Sequence, residues 1–406
     1  MTPGAGRVSG DRVFWRVALL LFATGWAANH FTALVPVLRT AGELPSVTVN
    51  SAFAIYAIGL LPGLLGGGAL ADRIGPRRIV LAGATIAAAG NLAMAVWHAE
   101  FGVLAGRLVV GGGIGLAVSA GTVWAVMLRG ASGATLAGII LTAGFATGPF
   151  ASGILAAVLP LDPGMTVPFV ATSALSVVAV ALVVLSRAST GGSPLQARAP
   201  GGGVAVPASA PIRIRSARRA FSVALPMALW VFSTATVAFI VLPSRMDLPA
   251  GSTALVAGLV SILGFGAGIG AQALARRFAW GPIAGVCGAG LAAAGFTVTA
   301  YVQHPPVWLF LVAIVVLGTA YGLCLREGLV DVDLLAPVAT RGMVIGVFYV
   351  FTYLGFAVPL LLDFVEPSIG TTLPLLLLAA MAVLAASARG IVMLKTDLLD
   401  RWRPGR

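Results

Sequence analysis

Twelve long apolar stretches run through this 406-residue chain and constrain its fold more than any other feature. A helix needs roughly 20 mostly apolar residues to cross a bilayer, where its backbone groups must find their hydrogen-bond partners within the chain. The sequence therefore predicts an all-α membrane protein with twelve transmembrane helices. Their approximate bounds are 13–37, 48–71, 78–98, 102–127, 133–160, 165–186, 219–243, 252–275, 281–302, 307–327, 341–363 and 371–394.

Composition excludes the soluble classes. Only 9% of the residues are charged and mean hydropathy is +1.02, whereas a soluble domain carries roughly 25% charged residues to face water. Intrinsic disorder needs the opposite balance of low hydrophobicity and high charge. The first apolar stretch is too long for the core of a cleaved signal peptide, so we expect it to remain as the first span.

Positive charge sets the predicted orientation. If the N-terminus is cytoplasmic, 22 of the 25 Lys and Arg residues fall on the cytoplasmic side, Arg39 and Arg245 fall outside, and Arg107 lies within a span. Cytoplasmic loops carry the excess of basic residues. We therefore expect a multi-pass protein of the cell (plasma) membrane with both termini in the cytoplasm. The net charge of +12 reflects this pattern and indicates no nucleic-acid partner.

A stretch rich in Gly, Pro and Arg at 187–218 divides the spans into six and six. Such a composition is typical of a linker. We expect an N-terminal half at 1–186, a cytoplasmic linker at 187–218 and a C-terminal half at 219–406. The halves also resemble each other, because GGGALADR at the end of span two corresponds to GAQALARR at the end of span eight. Parallel repeats of this kind are typical of transporters.

The loop after span two reads GALADRIGPRR at 68–78 and resembles the loop motif of the major facilitator superfamily. The resemblance covers essentially the whole chain and implies a major facilitator fold, with bacterial drug/proton antiporters as similar members. It also implies a gating role for Gly68, Asp72, Arg73, Gly75, Arg77 and Arg78. We expect Gly68 to give a close helix crossing and Gly75 a tight turn. In such proteins the motif aspartate meets the start of span eleven, where Thr340 is the expected N-cap.

Span four carries a second family-like element, RLVVGGG at 107–113, in which Val110 stands where the family has Gln. The resemblance implies that Arg107 helps to couple protons. A charge within the bilayer is costly and usually has a function. The alternative is that Arg107, near the outer edge, extends its side chain to the interface.

Span five resembles the antiporter motif G-x-x-x-G-P-x-x-G, with its last glycine one place late. The residues that carry this resemblance are Gly144, Gly148, Pro149 and Gly153. The motif implies a kinked helix with a thin face against a neighbouring span. The alternative is a glycine-rich packing helix that any transporter could use.

Further candidate positions come from polar residues in or near the spans. Asn29 and His30 lie in span one and are predicted either to take part in proton coupling or to form a polar wall of the cavity. By the repeat, Arg276 and Arg277 occupy a second gate loop after span eight. We expect one of them to pair with Glu327, or alternatively with Asp331.

These features together predict a secondary transporter and not an enzyme. The only lysine is Lys395, so no phosphate-binding loop for ATP exists, and the scattered histidines offer no catalytic or metal site. We expect no cofactor, and we expect a monomer that binds lipids and a small molecule. Export of a small hydrophobic compound coupled to protons is the main functional hypothesis. Uptake of a metabolite or nutrient by symport or uniport is the alternative.

The predicted orientation can be tested with reporter fusions along the chain. A reporter fused after Arg187 or Arg406 should be active in the cytoplasm, and one near Leu248 should be external, because the charge asymmetry fixes these sides. An external signal from a fusion at Arg406 would contradict the span count.

Overall fold

The computed structural model describes residues 3–40, 44–185, 216–249, 252–337 and 340–395. Most of the predicted linker, residues 186–215, lies outside the described residues. The words outer and inner below denote the sides that the charge count assigns.

The twelve predicted helices are confirmed within the described residues, and each is long and apolar enough to cross a bilayer. Their hydrophobic lengths explain why these segments fold as helices, since each backbone group is then paired within its own segment. The spans, numbered in chain order, are Asp11–Arg39, Ser46–Ile74, Pro76–Val96, Glu100–Gly130, Leu136–Val158, Leu161–Val184, Ala217–Arg245, Thr253–Arg277, Ile283–Tyr301, Val307–Leu335, Met343–Ile369 and Thr372–Leu394.

In the part of the chain that the structure describes, three spans are interrupted near their middles or in their outer halves. Span one consists of the helices Pro3–Asn29 and Phe31–Thr40, with a break at His30. Span seven changes from α-helix to π-helix at Val237–Val241, and span eleven contains a 3-10 turn at Leu354–Ala357. Short π and 3-10 segments inside helices often mark functional positions. All three interruptions belong to spans that surround the centre of the molecule.

Glycines allow pairs of spans to touch backbone to backbone in both halves. In half one, a Cβ on Gly115 of span four would lie only 3.0 Å from Gly63 Cα of span two. In half two, a Cβ on Gly322 of span ten would lie 2.6 Å from Gly268 Cα of span eight. Lipid gives helices no hydrophobic reason to associate, so such close contact is what holds membrane helices together. Spans two and four of half one pair in the same way as spans eight and ten of half two. This correspondence supports the repeat inferred from sequence.

The two halves meet along spans two and eleven and along spans five and eight. At the outer end, Asn50 Nδ2 donates to Asp363 Oδ2 at 2.5 Å. Further in, Leu65 of span two lies against Gly346 of span eleven. Across the other interface, a Cβ on Gly258 would lie 2.8 Å from Phe150 Cα. These contacts place the centre of the molecule between four interface spans.

Candidate functional site

A narrow cavity lies at the centre, between the halves. Six spans contribute to its wall: spans one, two and five from half one, and seven, eight and eleven from half two. Its volume of about 20 Å³ holds little more than one water molecule. The lining residues are Ala28, Asn29, Thr32, Phe53, Tyr56, Phe145, Phe232, Ala235, Thr236, Phe239, Ile240, Phe265, Tyr353 and Phe356.

Aromatic rings from the two repeats fill this central cavity. The ring of Phe232 stacks on that of Tyr353 at 4.7 Å and on that of Phe356 at 4.6 Å between centroids. Phe356 also contacts Tyr56 edge to face at 5.9 Å, across the two halves. Stacked rings prefer such offset geometries. The rings therefore pack on one another and fill the space that a planar ligand would need.

The helix breaks create this arrangement. Thr236, just before the π-helical turn of span seven, donates its hydroxyl to the carbonyl of Gly355 in the 3-10 turn of span eleven, at 3.0 Å. Gly355 lies so close to the backbone of Phe232 and Ser233 that any side chain there would overlap it. The two interrupted spans are thus joined beside the cavity.

A larger cavity lies directly outside the central one. It has a volume of about 310 Å³, within the range of small-molecule sites. Both cavities share Thr32, Phe239 and Ile240, so they form one path. The other residues lining this outer cavity are Val35, Pro36, Arg39, Pro243, Ser244, Met246, Leu248, Thr253 and Ala257. Because Arg39 and Ser244 are exposed, the path reaches the outer surface.

The two polar candidates in span one have separate positions. Asn29 lines the central cavity, where its Nδ2 donates to the carbonyl of Phe145 at 2.8 Å and its Oδ1 accepts from Thr32 at 3.0 Å. His30 is fully buried inside half one, with Nε2 at 2.8 Å from Asn91 Oδ1 and Nδ1 at 3.5 Å from Ser152 Oγ. Asn29 therefore meets the cavity, and His30 joins spans one, three and five behind it.

Arg107 lies inside half one with 1% of its surface exposed, so it does not extend to the outer interface. Its guanidinium carbon is 4.2 Å from the ring centre of Tyr56 and 4.6 Å from that of Phe31. It donates at 3.4 Å to the carbonyls of Ala28 and Ala52. No carboxylate pairs with it among the residues that the structure describes. Arg107 is thus a buried cation held by aromatic faces, directly behind the wall of the central cavity.

The loop motif after span two forms the expected turn. Gly75 has a φ of +91°, which L side chains rarely adopt, and Pro76 begins span three. Arg77 Nη2 donates to the carbonyls of Val183 and Val184, where span six ends, at 3.2 and 3.3 Å. Arg77 thereby satisfies carbonyl groups that a helix end leaves unpaired.

The prediction for Gly68 is wrong. A Cβ there would meet Ser119 Oγ at an ordinary 3.6 Å, whereas one on Gly67 would lie 3.1 Å from Ser119 Cβ. Successive helical residues point about 100° apart, given 3.6 residues per turn. The close crossing therefore falls on the face that carries Gly63 and Gly67.

The gate residues Asp72, Arg73 and Arg78 are exposed at the inner surface. Asp72 forms no hydrogen bond or ion pair with any side chain that the structure describes. Thr340 stands at the N-cap of span eleven without a capping bond, and its hydroxyl is buried with no partner in the described part of the chain. The contact of Asp72 with this helix end remains a prediction.

The span-five residues contact two different spans. Side chains at Gly144 or Gly148 would overlap the backbone of span one near Trp26. A side chain at Gly153 would overlap the Ala254 carbonyl of span eight, and Pro149 also faces that span. The Gly-Pro face of span five is therefore thin, and its outer part belongs to the interface between the halves.

The predicted pairing in half two is wrong in its partners. Arg276 and Arg277 are exposed at the inner end of span eight, and neither pairs with Glu327 or Asp331. Glu327 pairs with its neighbour Arg326, while both carboxylates contact Arg389 of span twelve. The side of span ten that carries Glu327 and Asp331 faces the interior of half two, away from the loop after span eight.

Arg389 is a residue that sequence reasoning missed. Counted there among the cytoplasmic charges, it is in fact buried in span twelve. Its Nη1 donates to Asp331 Oδ2 at 2.5 Å, its Nη2 lies 3.5 Å from Glu327 Oε2, and its Nε donates to the carbonyl of Pro282 at 3.2 Å. Its position six residues before Lys395, inside the last apolar stretch, was the available signal. We name Glu327, Asp331 and Arg389 the half-two charge cluster.

Sequence reasoning also missed most of the aromatic lining. The signal was that two spans each carry a pair of aromatic residues three apart, Phe53 and Tyr56 in span two and Tyr353 and Phe356 in span eleven. Among the described residues, no group of three or more His, Cys, Asp and Glu could hold a metal ion. The chemistry available at the centre is therefore aromatic contact, a few polar groups and the nearby charge of Arg107.

Comparison with known proteins matches most of the chain to a family model. The model described as Major Facilitator Superfamily matches residues 8–359. The chain is similar to a POT family transporter in complex with thioalcohol conjugated peptide and to one in complex with 5-aminolevulinic acid. Each has a TM-score of 0.75 at 15% identity, with 95% of this chain and 96% of that chain covered.

A third structure, an auto inhibited POT family peptide transporter, has a TM-score of 0.70 at 18% identity and covers 98% of this chain and 99% of its own. At these identities the likeness shows a shared fold. No curated protein sequence matches the chain.

The half-two charge cluster should be essential for stability. Arg389→Ala leaves Asp331 buried without its cation and Glu327 with Arg326 alone. It should cost about 3–5 kcal/mol and lower the thermal unfolding midpoint of the detergent-purified protein. Arg276→Ala removes an exposed cation and serves as the matched control, with an expected change within about 0.5 kcal/mol.

A triple variant that combines Arg389→Met with Glu327→Gln and Asp331→Asn has neither the buried cation nor the two buried carboxylates. It should recover much of the stability that is lost when Arg389 alone is replaced. An Arg389→Ala protein as stable as the parent would contradict the role assigned to the cluster.

Proposed function

Because the chain belongs to the major facilitator superfamily and is a secondary membrane transporter of that kind, we propose that it moves a small, mainly hydrophobic compound through the central cavity by alternating access. One observation carries the proposal: the cavity wall is drawn from both halves, three spans from each. A ligand that touches both halves can bias how they are arranged, since it shifts conformations only through its differential contacts with them. Repeat-built transporters place substrates at this interface.

The interrupted spans support a cavity that can open. With a volume of about 20 Å³, the central cavity cannot hold an organic ligand until its rings move apart. The breaks at His30, at Val237–Val241 and at Leu354–Ala357 lie in spans that line it. Discontinuous helices form binding sites in many secondary transporters. A ring of the ligand would replace the stacking of Phe232 on Tyr353 and Phe356.

For the direction of transport, we favour uptake of a metabolite by symport or uniport over export. The structurally similar transporters are named as complexes with a thioalcohol conjugated peptide and with 5-aminolevulinic acid. None of those described above is named as a drug/proton antiporter. The likeness supports the uptake alternative and weighs against the main hypothesis from sequence.

Export coupled to protons is the second candidate, and the position of the span-five motif favours it. Pro149 and Gly153 lie against span eight, so a kink there would act on the interface between the halves. The cavity wall itself carries no carboxylate among the described residues. Asp363, bonded to Asn50 at the outer interface, is a carboxylate that protons could reach.

The aromatic lining should determine binding. Phe232→Ala removes the ring on which Tyr353 and Phe356 stack, and should weaken ligand binding and slow exchange about tenfold, since aromatic contacts dominate such sites. The measurement is counterflow in proteoliposomes with a panel of aromatic metabolites and dyes. Phe364→Ala is the matched control, because this ring in span eleven is 80% exposed on the outside of the bundle and its removal should leave counterflow unchanged.

The same vesicles distinguish the two directions. Accumulation of a metabolite inside the vesicles under an inward substrate or proton gradient supports uptake. Extrusion of the compound that requires a proton gradient in the opposite direction to its movement supports export. Absence of counterflow with every member of the panel, in vesicles that contain folded protein, would contradict the proposed function.

A further inference from the structure

The one charged side chain that lines the path is positive, and no acid lines it among the described residues. The outer cavity has one charged lining residue, Arg39, and the central cavity has none. Directly behind the central wall lies the guanidinium of Arg107, against the faces of Tyr56 and Phe31. Two independently placed cations therefore act on whatever moves from the outer surface to the centre.

Arg107 has unusually little compensation. A buried cation normally has a carboxylate partner, because leaving water is costly. Here the compensation within the described chain comes from aromatic faces and from two carbonyls at 3.4 Å, which is long for a charge-assisted hydrogen bond. By contrast, Arg389 in half two is paired with Glu327 and Asp331. Half one thus leaves its buried positive charge available to the cavity.

The acids near the path are already engaged or point elsewhere. Asp363 accepts from Asn50 at the outer interface, two helical turns beyond Phe356. Glu100 accepts from Thr48 at 2.9 Å at the outer end of span four. Asp247 is largely exposed and lies 3.5 Å from His304. None of these carboxylates lines the central or the outer cavity.

The polar groups of the central wall are also used internally. Asn29 donates to the carbonyl of Phe145, Thr32 to Asn29, and Thr236 to the carbonyl of Gly355. They offer a cationic ligand no charged acceptor to replace its water. An aromatic ring can instead enter the stack around Phe232, with a negative group directed towards span two and the charge behind it.

We propose that the substrate is an aromatic carboxylate, and that Arg107 determines this charge preference from behind the aromatic wall. The proposal rests on the proposed function, because it assigns a substrate class to the same cavity. Coulomb attraction through a few ångströms of low-dielectric protein is large enough to discriminate between charges. Arg107 acts through the field it places on the cavity, and Arg39 strengthens the same preference at the entrance.

The test uses three probes of nearly equal shape: naphthoate, naphthylmethanol and naphthylmethylammonium. Their binding to purified protein in detergent is measured by titration calorimetry at neutral pH, where they are anionic, neutral and cationic. The parent should bind the anion about tenfold more tightly than the neutral probe and the cation most weakly. Equal affinities, or a preference for the cation through Asp363, would overturn the proposal.

Variants separate the charge of Arg107 from its packing. Arg107→Met replaces the guanidinium with an apolar side chain of similar length and should remove most of the preference between probes, leaving only the part that Arg39 contributes. Arg107→Lys should preserve the order, because it keeps the charge while losing the planar group that stacks on Tyr56. Loss of affinity for all three probes by the same factor would show a merely structural role and overturn the assignment.

Two further variants keep the test valid if changes at the buried site impair folding. Arg39→Gln alters an exposed side chain and should reduce the preference several-fold. Arg129→Gln, remote from both cavities, should leave it unchanged. If all three probes bind alike, the charge inference fails while the proposed transport function stands. If none binds and counterflow is also absent, both fail.

Discussion

Close backbone contact through glycine is the interaction on which the rest of this structure depends. Lipid tails are as apolar as the side chains they touch, so helices in a bilayer associate through packing and hydrogen bonds and gain nothing from burial alone. Span four meets span two at Gly63 and Gly115, and span ten meets span eight at Gly268 and Gly322. These contacts make each half a tightly packed unit. Glycine also brings spans five and eight together across the interface, at Gly153 and Gly258.

The irregular spans of half two form much of the cavity wall. Spans seven and eleven are irregular where they meet, and their irregular turns are joined by the bond from Thr236 to Gly355. The two halves also treat a buried arginine differently. Half two neutralises Arg389 with two carboxylates, which stabilises its inner end. Half one holds Arg107 with aromatic rings beside the cavity. We expect the first arrangement to stabilise the fold, and we propose that the second acts on the binding path through its charge.

Hydropathy was enough to predict the spans and their number, because the bilayer imposes a minimum apolar length. It could not identify the cavity wall, since rings facing lipid, such as Phe364, and rings facing the centre, such as Phe232, are equally apolar in sequence. The turn at Gly75 followed from local chemistry and was correctly expected. The partners of Glu327 could not be predicted, because they depend on which face of span ten meets span twelve. The burial of Arg389 was indicated by its place inside the last apolar stretch, but its partners depended on how spans ten and twelve pack.

The central claim is that two rigid halves alternate access to the aromatic cavity. Distances between spin labels, measured by double electron–electron resonance, test it most directly. Spin labels at the exposed positions Val96 and Tyr301 report the outer side, and labels at Leu185 and Leu394 report the inner side, with Cys287 and Cys324 replaced by Ala. When a transported ligand is added, the outer and inner distances should change in opposite directions, while a pair within half one, Val96 and Leu185, stays constant. Distances that all stay fixed, or that change together, while the ligand is transported would contradict the account.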